Sequence, residues 1–281
     1  MPRAFGTPPH CGGTTAGTDP GKTVPSPGVV TVMTDTHVRG RVTVEPGQKR
    51  VRTYLGGALV ADTVAPLLVW ENPHYPAYYL PLADVQATLV PTGTTSHSPS
   101  RGDAVHYTVK AGGRTAVDAA WQYPDSPLEE LHDHLRFDWA AMDSWFEEDE
   151  EVIVHPRSPH TRIEILASSR HVRVLVGGEV VADSRRPWLL FETGLPVRYY
   201  LPKVDLRMDL LEPTDTVTFC PYKGQAQYWS VRAGGEAHRD LFWSYPYPLP
   251  ESIRAAGLVS FYNDKVDLEV DGVMQPASSP R

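Results

Sequence analysis

The chain has 281 residues, a formal net charge of −8 and an apolar share of 41%, which suit two globular domains of ordinary size. The acidic balance, without a lysine- or arginine-rich stretch, argues against a nucleic-acid-binding protein. Two cysteines argue against a disulfide framework, and no run of about 18 apolar residues is present to span a membrane. We therefore expect a cytoplasmic protein.

Both ends of the chain are predicted to be disordered. Residues 1–37 are rich in Gly, Pro, Thr and Ser, and such a segment buries too little apolar surface to offset its ordering entropy. Met33 lies shortly before the first strand-like stretch, and we interpret it as the biological start. Residues 274–281 are predicted to form a second tail.

From residue 38 onward the sequence repeats itself. Gly56-Gly57 recurs as Gly177-Gly178, an offset of 121 positions (177 − 56), and Tyr-Tyr-Leu-Pro and Trp-x-Tyr-Pro motifs recur in the same order. The spacing predicts two homologous domains in tandem, residues 38–155 and 163–273. A linker at 156–162, marked by two prolines, is expected to join them.

Each unit is predicted to be mainly β. Two Gly-Gly pairs per unit separate alternating, β-branched runs, which is typical of hairpins. Short apolar runs at 66–70 and 187–191 predict core strands. One helix per unit is expected, after the capping-box spacing Ser126-Pro127-Leu128-Glu129 and at 251–256. The acidic run at 147–151 is interpreted as a solvated helix end or linker.

The segment Cys220-Pro221-Tyr222-Lys223-Gly224 is the main candidate for chemistry. A nearby ammonium group such as that of Lys223 favours the reactive thiolate of a cysteine, and Tyr222 could donate a proton or a hydrogen bond. The first unit has Ser98, Ser100 and Arg101 at these places, so the cationic group is kept and the thiol is not. The structural alternative is a buried, inert cysteine in an ordinary turn.

Two carboxylates and a set of aromatic residues complete the candidate site. Glu71 and Glu192 each end an apolar run, so each needs a partner, and we expect Arg52 and Arg173 to provide it. Either carboxylate could instead act as a general acid or base. The candidate ligand-binding residues are Arg173, Tyr199, Tyr200, Trp243 and Tyr245. Because side chains alternate along a strand, one of the paired tyrosines should face a pocket and the other the core.

No cofactor or metal is expected. The histidines show no His-x-x-His spacing, two cysteines cannot form a four-thiolate zinc site, and no phosphate-binding glycine loop occurs.

The repeated segments resemble the family known as domain of unknown function 427 (DUF427). The resemblance rests on the segments at 177–184, 198–202, 220–224, 243–245 and 261–267. It implies compact, mostly antiparallel β domains, similar to the tent-like fold of Mss4-type proteins, and a tandem arrangement like that of actinobacterial members. A family label suggests nucleotidyl transfer, but the Gly-Ser and paired-aspartate motif of such enzymes is absent from this sequence.

Our leading hypothesis is a metal-independent enzyme or small-molecule-binding protein with its pocket in the second unit. Cys220, Tyr222, Lys223 and Glu192 would carry the chemistry, and Lys223 would hold an anionic or carbonyl group. The alternatives are a non-catalytic binding or scaffold module and a nucleotidyltransferase-like activity. The expected partner is a small molecule, not a nucleic acid or a membrane, and homo-oligomerisation is left open.

Overall fold

The computed structural model describes residues 42–276, so the predicted N-terminal tail and the interpretation of Met33 lie outside the described residues. Eleven strands form the first repeat: β1 Thr43–Pro46, β2 Val51–Leu55, β3 Ala58–Thr63, β4 Leu67–Trp70, β5 Ala77–Pro81, β6 Thr88–Ser98, β7 Gly102–Ala111, β8 Arg114–Gln122, β9 His134–Phe137, β10 Ser144–Glu147 and β11 Glu150–Glu151.

Eleven strands form the second repeat: β12 Ile163–Ala167, β13 Val172–Val176, β14 Glu179–Ser184, β15 Trp188–Glu192, β16 Arg198–Pro202, β17 Leu211–Cys220, β18 Gly224–Ala233, β19 Glu236–Ser244, β20 Leu258–Phe261, β21 Asp267–Val270 and β22 Val273–Met274. Strand β22 thus begins at the last residue of the predicted domain and extends one residue into the predicted C-terminal tail.

Each repeat pairs a seven-stranded sheet with a four-stranded sheet. In the first repeat the orders are β1-β4-β5-β9-β8-β7-β6 and β11-β10-β2-β3. The second repeat has β12-β15-β16-β20-β19-β18-β17 and β14-β13-β21-β22, which is the same order of equivalent strands. All strand pairs are antiparallel, so the predicted mainly β, tandem architecture is confirmed.

The large sheet of each repeat buries side chains on both faces. In β16, Tyr199 belongs to the cluster between the two sheets, with Val174, Leu201 and Phe261. Its neighbour Tyr200 belongs to the cluster on the opposite face. This is the alternation expected of a strand, and the face that carries Tyr200 holds the candidate site.

The predicted Gly-Gly turns are confirmed as hairpins, and the two turns of each repeat touch. In the first repeat a Cβ on Gly112 would lie 2.2 Å from the carbonyl oxygen of Gly56, and both glycines have positive φ. In the second repeat a Cβ on Gly234 would lie 2.6 Å from the carbonyl oxygen of Gly177. Glycine is therefore needed here for backbone approach as well as for conformation.

Short helices lie near both predicted places, but they are 3-10 helices and not the only ones. Residues 42–276 contain no α-helix, and each repeat has three short 3-10 helices instead of one helix. The side-chain Oγ of Ser126 accepts a hydrogen bond from the backbone N–H of Leu128 at 3.1 Å, which is a turn contact rather than a capping box. The 3-10 helix that follows covers only Glu129–Leu131. Its counterpart covers Pro250–Ala255.

Candidate functional site

The segment that carries Cys220 is the turn of a β-hairpin. Cys220 ends β17 and pairs with Gly224 at the start of β18. The backbone N–H of Lys223 donates to the carbonyl of Cys220 at 3.3 Å, and Gly224 has a φ of +92°, a value that favours glycine. This tight turn brings the Lys223 side chain back toward the Cys220 sulfur.

Lys223 links the cysteine to a carboxylate. Its Nζ lies 2.6 Å from Glu192 Oε2 and 3.7 Å from Cys220 Sγ. The side chains of Lys223 and Glu192 are 10% and 9% exposed, whereas Cys220 is half-buried. An ammonium group that donates to sulfur stabilises the thiolate, and the carboxylate neutralises the buried cation. The three groups form the thiol cluster.

Aromatic side chains surround the thiol cluster. Burial raises the pKa of Tyr200, although the side-chain hydrogen bond with Trp243 opposes the shift. Burial also raises the pKa of Tyr245, and the nearby Tyr200, Cys220, Tyr228 and Glu192 add to the shift. Both phenols therefore stay protonated at neutral pH and can serve as hydrogen-bond donors.

Two polar atoms beside these aromatic side chains lack a hydrogen-bond partner within residues 42–276. They are Nη1 of Arg198 and Oγ of Ser260, both buried. The Arg198 guanidinium lies 5.8 Å from the ring centre of Trp243, and Ser260 is directly opposite Trp243 in the sheet register. Tyr262 packs 4.6 Å from the same indole, and burial, together with a hydrogen bond to Tyr228, raises its pKa to about 12.

The sequence-based candidates separate into two groups. The first group lies in and around the thiol cluster and consists of Cys220, Lys223, Glu192, Tyr200, Trp243 and Tyr245. Tyr199 lies in the core between the sheets, where its ring stacks on Phe261 at 6.4 Å. Arg173 lies in the small sheet, where it pairs with Glu269 at 2.9 Å and with Asp183 at 3.5 Å.

Tyr222 points away from Cys220 toward the segment between the repeats. Its hydroxyl oxygen accepts the backbone N–H of Ser158 at 2.6 Å. Tyr222 thus contacts the segment that precedes the second repeat, whereas its neighbour Lys223 contacts Glu192 and Cys220.

The predicted partners of the two buried carboxylates are wrong. Glu192 pairs with Lys223, not Arg173. Glu71 accepts the Tyr79 hydroxyl at 2.6 Å and pairs with Arg101 at 3.2 Å and Arg136 at 3.3 Å. Arg52 instead pairs with Asp149 at 2.7 Å. The error arises because the arginines of β2 and β13 belong to the small sheets, whereas Glu192 ends β15 and Glu71 directly follows β4, both in the large sheets.

Glu71 in the first repeat has more hydrogen-bond and ion-pair partners than Glu192 in the second. Trp121 is opposite Arg136 in the register, at the position where Trp243 is opposite Ser260. Arg136 contacts Glu71, but Ser260 is too short to make such an ion pair. The first repeat also lacks the thiol, since Ser98 occupies that place and lies 3.3 Å from the hydroxyl of Ser100.

A cavity of about 510 Å³ lies apart from the thiol cluster, between the first repeat, residues 157–161 and the turn that carries Tyr222. We call it the inter-repeat cavity; its main polar lining residues are Lys49, Tyr78, Glu147, Arg157, Tyr222 and Glu251. Glu147 is only 5% exposed and accepts the Tyr78 hydroxyl at 2.5 Å. The interpretation of residues 147–151 as a solvated helix end or linker is wrong for Glu147, which ends β10 inside this cavity. Residues 148–151 are exposed as expected, but they lead into and form β11 rather than a helix end.

A family model described as domain of unknown function DUF427 matches residues 43–148 and 164–272. The chain belongs to the DUF427 family. Each DUF427 match contains one of the two equivalent carboxylate clusters, and the unmatched residues 149–163 include Arg157 and Ser158 of the inter-repeat cavity. No curated protein matches the chain significantly.

Within residues 42–276, no helix has the length and apolar character needed to cross a bilayer. Nor does any set of three or more His, Cys, Asp or Glu side chains within this range have an arrangement that could hold a metal ion.

Proposed function

We propose that the second repeat of this DUF427 protein is a cytoplasmic small-molecule-binding domain in which Cys220 acts as the reactive group. The observation that carries the proposal is the contact of Lys223 Nζ with both Cys220 Sγ and Glu192 Oε2, at 3.7 and 2.6 Å. A half-buried thiol beside a buried ammonium group is the arrangement that a nucleophilic or proton-transferring cysteine requires.

Arg198 is the group best suited to hold an anionic or carbonyl oxygen of the ligand. Lys223 was the sequence-based candidate for this role, but Glu192 already engages its charge. Arg198 has a buried nitrogen without a partner in the described part of the chain, and its guanidinium lies over Trp243. Trp243 packs in one cluster with Tyr200 and Cys220, so the guanidinium over its ring lies in the same neighbourhood as the thiol.

The roles then divide among the residues of the second repeat. Lys223 donates a hydrogen bond toward the Cys220 sulfur, and Glu192 holds Lys223 in place through their ion pair. Arg198, Ser260 and the protonated phenols of Tyr200 and Tyr245 supply donors for ligand oxygens, and Trp243 provides an apolar surface. The first repeat has a saturated carboxylate and no thiol, so it acts as a supporting copy.

A comparison of two alkylating reagents tests the proposal. The measured quantity is the ratio of the alkylation rate with iodoacetate, which is negatively charged, to the rate with uncharged iodoacetamide. In Cys11→Ser protein, this ratio should be higher for Cys220 than for a free thiol such as glutathione. Arg198→Met should bring this ratio back toward the glutathione value. If the ratio for Cys220 in the protein that keeps Arg198 equals that of glutathione, or if Arg198→Met does not change the ratio, the idea of an anion-binding thiol site is contradicted.

Cys220→Ser separates this function from a scaffold module. If the domain binds ligands through its thiol, the Cys220→Ser variant should keep its fold. It should also lose covalent labelling and any change in melting temperature that labelling causes. If iodoacetate and iodoacetamide label the folded protein at no measurable rate, Cys220 is a packing residue and the scaffold alternative is favoured.

A further inference from the structure

The inter-repeat cavity has the size and position of a ligand site, independently of the thiol cluster. Its volume of about 510 Å³ falls within the range of small-molecule pockets, roughly 300–1,000 Å³. It lies where two homologous units meet, which is a common place for such sites. Apolar residues from both repeats, including Val51, Leu68 and Ile163, form part of its wall.

The strongest donor in the cavity, Arg157, is not saturated. Its side chain is 18% exposed, and its contacts with Glu147, Glu251 and Glu150 are 3.3, 3.7 and 4.0 Å long. Charge-assisted hydrogen bonds are usually about 2.7–2.9 Å, so these ion pairs are loose. Arg157 Nε is buried and has no hydrogen-bond partner within residues 42–276.

Two other groups of the lining also have hydrogens to donate. The Tyr222 hydroxyl oxygen accepts the Ser158 N–H, which leaves the hydroxyl hydrogen for another acceptor. Lys49 spends one N–H on Glu147 at 2.6 Å and is 54% exposed, so its remaining hydrogens face an open environment.

The acidic side chains of the cavity are compensated or solvated. Glu147 has the Tyr78 hydroxyl on one oxygen and Lys49 on the other. Glu45 shares a hydrogen bond with His160 at 2.8 Å and is 36% exposed, and Glu251 is 48% exposed, so water screens both charges. The cavity therefore offers more unused donors than unused acceptors.

We infer that the inter-repeat cavity binds a small organic carboxylate. The ligand carboxylate accepts hydrogen bonds from Arg157 and from the Tyr222 hydroxyl, and its apolar body contacts Val51, Leu68 and Ile163. Arginine and carboxylate make the strongest ion pair that these donors allow. Because Tyr222 and Cys220 belong to one turn, the bound carboxylate also fixes the turn that carries the thiol.

The probe is sodium hexanoate, measured by ligand-observed NMR titration of the full chain. Hexylammonium, with the same chain length and the opposite charge, is the matched probe. We expect hexanoate to bind and hexylammonium to bind at least about tenfold more weakly. Arg157→Met should weaken hexanoate binding by about tenfold or more, the loss typical of one charge-assisted hydrogen bond.

Arg162→Met is the control, since Arg162 is 76% exposed, pairs with Glu164 and does not line the cavity. Tyr222→Phe keeps the ring and removes the hydroxyl, so it serves as an independent test if Arg157→Met fails to fold. Absence of hexanoate binding, equal or tighter binding of hexylammonium, or hexanoate binding unchanged in the folded variants would overturn the inference. A failure here leaves the reactivity of Cys220 unaffected, so the two proposals are tested separately.

Discussion

Lys223 and Glu192 form an ion pair of 2.6 Å between side chains that are both about nine-tenths buried. Removing one partner leaves an uncompensated buried charge, whereas removing both can be nearly neutral. The pair also positions the ammonium group against Cys220, so its integrity links the stability of the second repeat to the reactivity of the thiol.

We predict that Lys223→Met lowers the free energy of unfolding of the second repeat by roughly 3–5 kcal/mol. The double variant Lys223→Met/Glu192→Leu should recover most of this loss. Urea denaturation measures both. Arg232→Gln, which breaks the exposed Arg232–Glu212 pair, should have little effect. Equal losses in the single and double variants would show that the charge of Glu192 is not buried as described.

Glu71→Gln should destabilise the first repeat more than Glu192→Gln destabilises the second. Glu71 serves one phenol and two guanidinium groups, whereas Glu192 serves one ammonium group. Each change leaves a buried cation without its charged partner, at a cost of roughly 3–5 kcal/mol, and urea denaturation should show the larger loss for Glu71→Gln, which affects two guanidinium groups. The same variant should leave Cys220 alkylation unchanged, because the cysteine belongs to the other repeat. Equal losses would contradict the asymmetry between the two clusters.

Gly112→Ala should destabilise the first repeat far more than Gly113→Ala. Both glycines have positive φ, so both variants carry conformational strain of about 1–2 kcal/mol. Only the Cβ at 112 would also meet the carbonyl oxygen of Gly56 at 2.2 Å, whereas a Cβ at 113 has nothing within 4 Å. Thermal unfolding of the two variants measures the difference. Similar melting temperatures would mean that the two hairpin turns do not touch.

His155 should make the stability depend on pH. Burial lowers its pKa, against the opposing hydrogen bond to the Pro156 carbonyl, and its ring stacks on Tyr75 at 3.8 Å. The unfolded chain, with a His pKa of about 6.5, therefore binds a proton more readily than the folded protein. Stability should be complete above that value and fall as the pH drops toward the lowered pKa of the folded state.

His155→Phe keeps an aromatic ring and should make the decline between pH 7 and 5.5 shallower, as followed by urea denaturation at each pH. His134, whose pKa burial also lowers, contributes equally to both proteins and cancels in the comparison. His97→Gln changes an exposed residue paired with Asp103 and controls for surface charge. Parallel pH curves for the His155→Phe variant and the unmodified protein would contradict the prediction.

The tandem β architecture could be predicted because it depends on local and repeated signals. Gly56-Gly57 and Gly112-Gly113 mark turns by conformational need, and the recurrence of the same spacing in the second half identifies two copies. The contact of Cys220 with Lys223 was also predictable, since a tight turn brings these residues together within four positions.

The partners of Glu192 and Glu71 could not be predicted, because they depend on which strands share a sheet. Arg52 and Arg173 are at matching places in the two repeats, yet β2 and β13 belong to the small sheets and β4 and β15 to the large ones. Arg198 and Ser260 gave no signal, because their importance arises from a missing partner in the folded chain. Glu147 was misinterpreted because four further acidic residues follow it, and only the packing of β10 buries it.

The reactivity of Cys220 is the most direct test of the account. We would measure its alkylation by iodoacetamide in folded Cys11→Ser protein from pH 5 to 9 by intact mass, with Lys223→Met for comparison. The account predicts fast labelling of the folded protein and a clear loss of rate at pH 7 in the Lys223→Met variant, which lacks the ammonium group beside the sulfur. Labelling that begins only when the protein unfolds, or a rate at pH 7 unchanged by Lys223→Met, would contradict a thiol activated by Lys223.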